Sequence, residues 1–290
     1  MHLMILGAGY SGKAIAGNFV ARGFHVSGTT RSPEKAEALR QRGIAPFPFD
    51  GSTIGPALEE ALSSATHLVQ SIAPGPESDP FLRLLSTEWN EILPRLQWVG
   101  YLSTVGVYGN HDGEWVSEET ACRPVSARSV ERVQAEEGWR ALCAARGVPL
   151  ATLRLSGIYG PGRNAFVNLV NGTARRIAKP GQVFNRIRVE DIGAATLFLA
   201  ERQEGGLYNI TDSLPAPAPD VVTEAARIMG VEPPPEQAFD PGTMTPMARS
   251  FYGENKRVSN AKIRDLGFAF RFPDYRVSLA ELWASGRWRG

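Results

Sequence analysis

Met4-Ile5-Leu6-Gly7-Ala8-Gly9-Tyr10-Ser11-Gly12-Lys13-Ala14-Ile15-Ala16 decides how the rest of the chain is read. A short apolar run ends in Gly-x-Gly-x-x-Gly, and a helix-like run (Ala14, Ile15, Ala16, Phe19, Val20) follows at once. Each glycine has a physical task. Gly7 permits the tight turn out of the strand, Gly9 lets backbone approach a pyrophosphate, and Gly12 lets the helix lie close to the sheet. The helix start adds free N–H groups and the positive end of the helix dipole, both favourable to phosphate. Tyr10 and Ser11 lie at that start and join Gly7, Gly9 and Gly12 as candidate coenzyme contacts. The competing reading is a purely structural turn.

At 290 residues the chain is long enough for one large domain or for a core with a smaller lobe. A net charge of +1 gives no sign of a nucleic-acid or membrane partner. No apolar run is long enough for a membrane span, and the first strand begins too close to Met1 for a signal peptide. Cys122 and Cys143 form no disulfide framework, and the four histidines (His2, His25, His67, His111) show no metal-binding spacing. The expectation is a cytoplasmic protein without a metal.

A second strand over 24–31 leads to Thr29, Thr30, Arg31 and Ser32. A coenzyme with a free ribose 2′-hydroxyl is commonly held there by Asp or Glu, and this stretch has neither. A carboxylate would repel a 2′-phosphate, whereas a guanidinium flanked by hydroxyls would bind it. Thr30, Arg31 and Ser32 therefore favour NADP over NAD; the alternative is that Arg31 only caps the loop. Asp50, after a third strand, is placed to accept from an adenine amino group or to shape a turn. A fourth strand over 66–72 puts Ser71 and Ala73 at its carboxyl end, where ligands of such sheets sit. A helix over 79–93 and a fifth strand over 98–103 follow. Strands alternating with helices predict an α/β fold with a doubly wound parallel sheet of Rossmann type.

Leu102-Ser103-Thr104-Val105-Gly106-Val107-Tyr108-Gly109 and Leu153-Arg154-Leu155-Ser156-Gly157-Ile158-Tyr159-Gly160-Pro161-Gly162 are distinctive stretches. Arg186-Ile187-Arg188-Val189-Glu190-Asp191 and Lys256-Arg257-Val258-Ser259-Asn260 are two more. Together with the glycines and in this order, they resemble the extended short-chain dehydrogenase/reductase family, of the NAD(P)-dependent epimerase/dehydratase type. The resemblance implies a Rossmann core over 1–160, rejoined by 185–204. It also implies a small C-terminal α/β substrate lobe from 161–184 and 205–290.

In that family a Ser or Thr, a Tyr and a Lys manage the proton while nicotinamide carries hydride. Thr104 takes the Ser/Thr place. If Glu136 matches the Glu four residues beyond the Lys, then Arg128 stands at the Tyr position and Arg132 at the Lys position. An arginine keeps its proton in a protein, so Arg128 is no acid/base. A Tyr-x-x-x-Lys does occur at Tyr252 and Lys256, in the substrate lobe, as coincidence or as a proton donor from the opposite wall. Val105 and Gly106 replace the acidic pair of the family's dehydratases, which excludes elimination of that kind.

The candidate catalytic residues are accordingly Thr104, Arg128, Arg132 and Tyr252. Arg188, Lys256 and Arg257 are candidates for an anionic substrate; the alternative is that Arg132 pairs with Glu136, and Arg188 with Glu190 or Asp191, on solvated faces. Two functions follow from different classes. One is an NADP(H)-binding oxidoreductase or epimerase-like enzyme acting on a small anionic carbonyl or hydroxyl compound, without the usual tyrosine. The other is a catalytically inactive NADP(H)-binding sensor. A hydroxyacid dehydrogenase with an all-helical second half is disfavoured by the strand-like stretches at 151–159 and 206–211. Trp283 and Trp288 suit packing onto the body or onto a second copy in a homodimer.

Overall fold

The computed structural model describes residues 1–85 and 89–290, and for Pro246 and Met247 the backbone alone. Its main feature is a seven-stranded sheet. The strands in chain order are β1 (His2–Leu6), β2 (His25–Thr30), β3 (Ile44–Pro48), β4 (His67–Gln70), β5 (Trp98–Thr104), β6 (Leu150–Leu155) and β7 (Gly206–Ile210). Their spatial order is β7-β6-β5-β4-β1-β2-β3. β1 pairs in parallel with β2 on one side (Ile5 opposite Gly28) and with β4 on the other (Leu6 opposite Gln70). The chain therefore winds one way from β1 to β3, then crosses back to β4. That reversal opens a crevice beyond the carboxyl ends of β1 and β4. The expected doubly wound α/β sheet is present.

β1 is buried along its whole length, as a central parallel strand covered on both faces must be. One side of its core gathers Met4, Leu6, Leu62, Leu68, Phe81, Tyr101 and Trp139. The chain divides into two compact units. The first is 1–107, 127–154 and 192–208; the second is 108–126, 155–191 and 209–290. The second unit has its own core of Phe166, Ala225, Tyr275, Leu279, Leu282 and Trp288. Trp288 is buried beside Phe166, and Trp283 stacks on Trp288 with ring centroids 5.8 Å apart, so the tail tryptophans pack onto the unit that carries them.

Within the stretch expected to be helical, 79–93, helix is found at Pro80–Leu85 and Trp89–Ile92, and 86–88 lie outside the described residues. Asp79 stays outside the first helix and serves as a buried acceptor. Its carboxylate accepts from the N–H groups of Phe81 (2.9 Å) and Leu82 (3.2 Å), from Gln70 Nε2 (2.8 Å) and from Trp139 Nε1 (3.2 Å). Among the described residues no helix is long and apolar enough to cross a membrane, and no group of His, Cys, Asp and Glu could hold a metal ion.

At the start of β1, the ring of His2 is buried between Ser64 Oγ (2.9 Å from Nδ1) and Ser27 Oγ (2.8 Å from Nε2). Burial, with the neighbouring His25, holds its pKa down to about 4, against an ordinary 6.5. The folded protein keeps His2 neutral, whereas the unfolded chain takes up a proton below pH 6.5. The contribution is present above that pH and is lost as pH falls toward 4, by on the order of 3 kcal/mol. Urea unfolding at pH 7 and pH 4.5 should therefore show a drop in stability that shrinks by at least ~1 kcal/mol in His2→Gln. An unchanged drop in the variant would contradict this account.

Candidate functional site

The first site element is the turn between β1 and the helix Tyr10–Ala21. Gly7 has φ +86°, a region that side chains disfavour, and a β-carbon there would lie 2.9 Å from Ile72 Cγ1. A β-carbon on Gly12 would lie 2.9 Å from the Gly7 carbonyl oxygen and 3.2 Å from Ile5 Cγ2. Folding itself thus requires glycine at both positions. Gly9 differs. Its φ is −79° with ψ −148°, and a β-carbon would meet nothing nearer than the Gly7 carbonyl oxygen at 4.0 Å. The space above Gly9 is what a pyrophosphate would need. The helix it opens has no side-chain cap and no acidic residue in its first turn, so nothing in it opposes an anion.

The turn is held from β2. Thr29 is buried, its Oγ1 accepts the Gly7 N–H at 2.8 Å, and its carbonyl accepts the Ala8 N–H at 2.9 Å. Sequence reading passed over Thr29; a hydroxyl one residue before the strand end was the available signal. Beyond it, Arg31 is exposed, and Thr30 Oγ1 accepts the Ser32 N–H at 3.3 Å. Ser32 Oγ donates to Glu34, whose carboxyl is held below its ordinary pKa chiefly by that bond. Asp50 is exposed and accepts from the N–H (2.8 Å) and hydroxyl (2.6 Å) of Ser52, the turn-shaping alternative anticipated for it. At the end of β4 the Ser71 N–H donates to the Leu6 carbonyl at 2.9 Å, and Ala73 is exposed beyond it. Gly7, Gly9, Tyr10, Ser11, Gly12, Thr30, Arg31, Ser32, Asp50, Ser71 and Ala73 all belong to the first unit.

The second element is β5 with the helix Ala127–Arg146. Thr104 ends β5, and its Oγ1 accepts the Gly106 N–H at 3.1 Å. Glu136 accepts from Ser103 Oγ at 2.5 Å and from Arg154 Nη2 at 2.7 Å. Arg132, one turn earlier, donates from Nη1 to the Leu102 carbonyl at 2.6 Å and to Tyr101 Oη at 3.3 Å. These contacts fix the helix register against β5, with Arg128 exposed a further turn toward the helix start. Buried Ser129 faces the loop: a β-carbon on Gly106 would lie 3.1 Å from its Oγ and 3.4 Å from Thr104 Oγ1. Ser129 also escaped sequence reading, because it carries no motif of its own.

The remaining candidates lie in the second unit. Arg188 is fully buried there. Nε and Nη2 reach Glu190, Nη2 also reaches Glu281, and Nη1 reaches the carbonyl and hydroxyl of Ser278. All five of its N–H donors are occupied, which leaves none for a guest. Lys256 is likewise buried, with Nζ bonded to the Gly109 carbonyl (2.7 Å) and to Glu254 (2.6 Å). Tyr252 closes the helix Pro246–Tyr252, and Lys256 comes after the Gly253 cap, so the two share no helical face. Tyr252 packs between Phe184 and Phe239, its hydroxyl 3.5 Å from the Ile177 carbonyl, with burial raising its pKa. Arg257 is half-buried and donates Nη1 to the Gly113 carbonyl.

Comparison with known proteins bears on the family and the fold. Residues 2–75 match the family described as NADP oxidoreductase, coenzyme F420-dependent. Residues 95–211 match the NAD dependent epimerase/dehydratase family. Protein YeeZ of Escherichia coli (strain K12) is 31% identical over 288 residues, covering 93% of this chain and 96% of that protein. A functionally unknown conserved protein from Silicibacter pomeroyi DSS superposes with a TM-score of 0.89 at 42% identity, covering 98% of this chain and 99% of that one. UDP-glucuronic acid 4-epimerase from Bacillus cereus, solved with NAD, shares the fold with a TM-score of 0.75 at 16% identity, over 97% of this chain and 94% of that one.

The contrast among the glycines is testable. Gly9→Ala should hold the melting temperature within about 3 °C yet weaken nicotinamide-dinucleotide binding at least ~10-fold. Gly12→Ala should lower the melting temperature by about 5 °C or more, because its β-carbon collides with backbone. Calorimetry with thermal melts reads both; unchanged affinity in Gly9→Ala would remove the turn from the site.

Proposed function

The chain belongs to the NAD-dependent epimerase/dehydratase family, and on that premise we propose that it is an NADP(H)-using oxidoreductase acting on a small anionic carbonyl or hydroxyl compound. The observation that carries the reading is the open face of Gly9 at an uncapped helix start, a space that packing does not account for. Bound there, the coenzyme would supply or accept hydride at its nicotinamide ring. The backbone of Gly9, Tyr10, Ser11 and Gly12 would hold the pyrophosphate, and Thr30 with Arg31 would hold the 2′-phosphate. Support for NADP over NAD comes from the exposed Arg31 guanidinium and from the lack of a carboxylate among residues 29–32. Because Ser32 is engaged by Glu34, the 2′-phosphate falls chiefly to Arg31 and Thr30.

Thr104 is the group assigned to the reacting oxygen: it ends β5, with its hydroxyl oxygen already accepting the Gly106 N–H and its proton still to donate. Arg132 is engaged by the Leu102 carbonyl and keeps the helix in register. Arg128 contributes charge and no proton transfer. Proton exchange therefore passes to water, since Tyr252 is packed between Phe184 and Phe239 in the second unit.

Calorimetric titration should give an affinity for NADPH at least ~10-fold above that for NADH, and Arg31→Asp should abolish the difference. Equal affinity in the unaltered protein would overturn the NADP assignment. NADPH oxidation with a panel of keto acids, aldehydes and nucleotide sugars separates catalysis from sensing. Turnover of any member supports the enzyme, and tight binding without turnover of any supports a coenzyme-reporting protein.

A further inference from the structure

In the first unit, the start of the helix Pro33–Arg40 carries a set of anion-binding groups that the chain itself fills. Ser32 stands at the N-cap with extended backbone (φ −116°, ψ 121°), from which a serine hydroxyl commonly accepts a first-turn N–H. It makes no such cap. Its Oγ instead donates to Glu34, two residues on, while its backbone N–H stays on Thr30 Oγ1 at 3.3 Å. The Glu34 carboxyl is held below its ordinary pKa by that hydroxyl first, then by its own N–H, with Lys35 adding a smaller pull. A hydroxyl, a helix-start N–H and an ammonium are groups that also suit a phosphate oxygen.

Arg31 takes no part in this arrangement. It is exposed, and no hydrogen bond or ion pair is found for its side chain among the described residues. Glu34 therefore lies three positions from a cation and is spent on a hydroxyl. The other charges of the loop are Lys35 and, from the end of β3, Asp50. The Phe49 N–H ties that strand end to the loop, donating to the Thr30 carbonyl at 3.1 Å. Asp50 is taken by the N–H and hydroxyl of Ser52, and Glu37, one turn along the helix, by Arg40 at 3.1 Å. Arg31 and Lys35 against Glu34 and Asp50 leave the loop close to neutral. A phosphate monoester carries about 1.5 to 2 negative charges near pH 7, so neutral surroundings serve it poorly.

We infer that Glu34 is a specificity-determining residue of the coenzyme site. Its carboxylate occupies donors at the start of this helix that a ribose 2′-phosphate would otherwise take, and so holds down the preference for NADP over NAD. The inference rests on the NADP(H) reading and deepens it, by naming the group that works against Arg31. A ribose with a free 2′-hydroxyl brings no charge to this point, so the same carboxylate does not oppose NADH. The opposition has two parts. One is charge: across about 6–8 Å of water, a carboxylate and a doubly charged phosphate repel by a factor of roughly 3–10 in affinity, and salt screens it. The other is occupancy, because a Ser32 hydroxyl given to Glu34 is not given to the phosphate.

Calorimetric titration of the full chain with NADPH and with NADH separates the two parts, in about 20 mM and about 300 mM sodium chloride. Glu34→Gln removes the charge and keeps an acceptor for Ser32. In low salt it should raise the ratio of NADPH to NADH affinity at least ~3-fold, with NADH affinity held within ~2-fold, and the gain should shrink in high salt. Glu34→Ala also releases Ser32 and should gain more than Glu34→Gln. Glu37→Gln removes an equal charge one turn away and should move the ratio by less than ~2-fold. Thermal melts report that each variant is folded.

The inference is overturned if Glu34→Gln moves the ratio by less than ~3-fold, if both coenzymes gain alike, or if Glu37→Gln has the same effect. It is also overturned if the gain is as large in high salt, or if Glu34→Ala gains no more than Glu34→Gln. NADPH binding that Arg31→Asp weakens and Glu34→Gln leaves alone would count against Glu34 and spare the coenzyme reading. No binding of either coenzyme by the unaltered protein would remove that reading and the inference with it.

Discussion

The approach of the first helix to the end of β1 is the constraint on which the rest depends. Gly12 lies so near the Gly7 carbonyl oxygen that a single added carbon would come within 2.9 Å of it. Because the helix starts that close to the strand, its N–H groups open onto the crevice between β1 and β4. Thr29 then fixes the turn from the neighbouring strand, through both its hydroxyl and its carbonyl. Gly28 belongs to the same arrangement: a β-carbon there would lie 2.8 Å from that of Ala8. The turn is thus shaped before any ligand arrives, which lowers the entropic cost of binding one.

Buried polar groups hold the remaining pieces in place. Asp79 and Gln70 satisfy one another and the start of the helix after β4. Gln70 also accepts the Ile72 N–H at 3.0 Å, which fixes the loop that touches Gly7. Arg188 lies with Glu190, Glu281 and Ser278, its guanidinium 4.2 Å from the centre of the Phe272 ring. Asp191, three residues on, accepts the N–H groups of Arg271 (3.0 Å) and Phe272 (2.9 Å). Removing one partner from so closed a set leaves an uncompensated buried charge, at a cost of about 3–5 kcal/mol. The Arg-Val-Glu-Asp segment is therefore a clamp inside the second unit.

Much of this fold could be read from the chain because its signals are local. The alternation of strand-like and helix-like runs and the spacing of Gly7, Gly9 and Gly12 need no knowledge of distant partners. The role of Asp79 was not legible: it looks like an ordinary first-turn acid until Gln70 and Trp139 arrive from elsewhere in the chain. Arg188 and Lys256 each have an acid two residues away, Glu190 and Glu254, but the partners that complete their shells are distant. Glu281 lies 93 positions from Arg188, and Gly109 lies 147 from Lys256. Arg257 kept an exposed side, and nothing in its neighbours foretold which of these basic residues would do so.

The account as a whole rests on a coenzyme pyrophosphate lying over Gly9 at the start of the first helix. Backbone amide NMR of isotopically labelled protein, recorded with and without NADPH, tests this directly. The largest shifts are predicted at the N–H resonances of Gly9, Tyr10, Ser11 and Gly12, with smaller ones at Thr30 and Arg31. Saturable binding that moves other amides and leaves these still, or no perturbation at all, would contradict it.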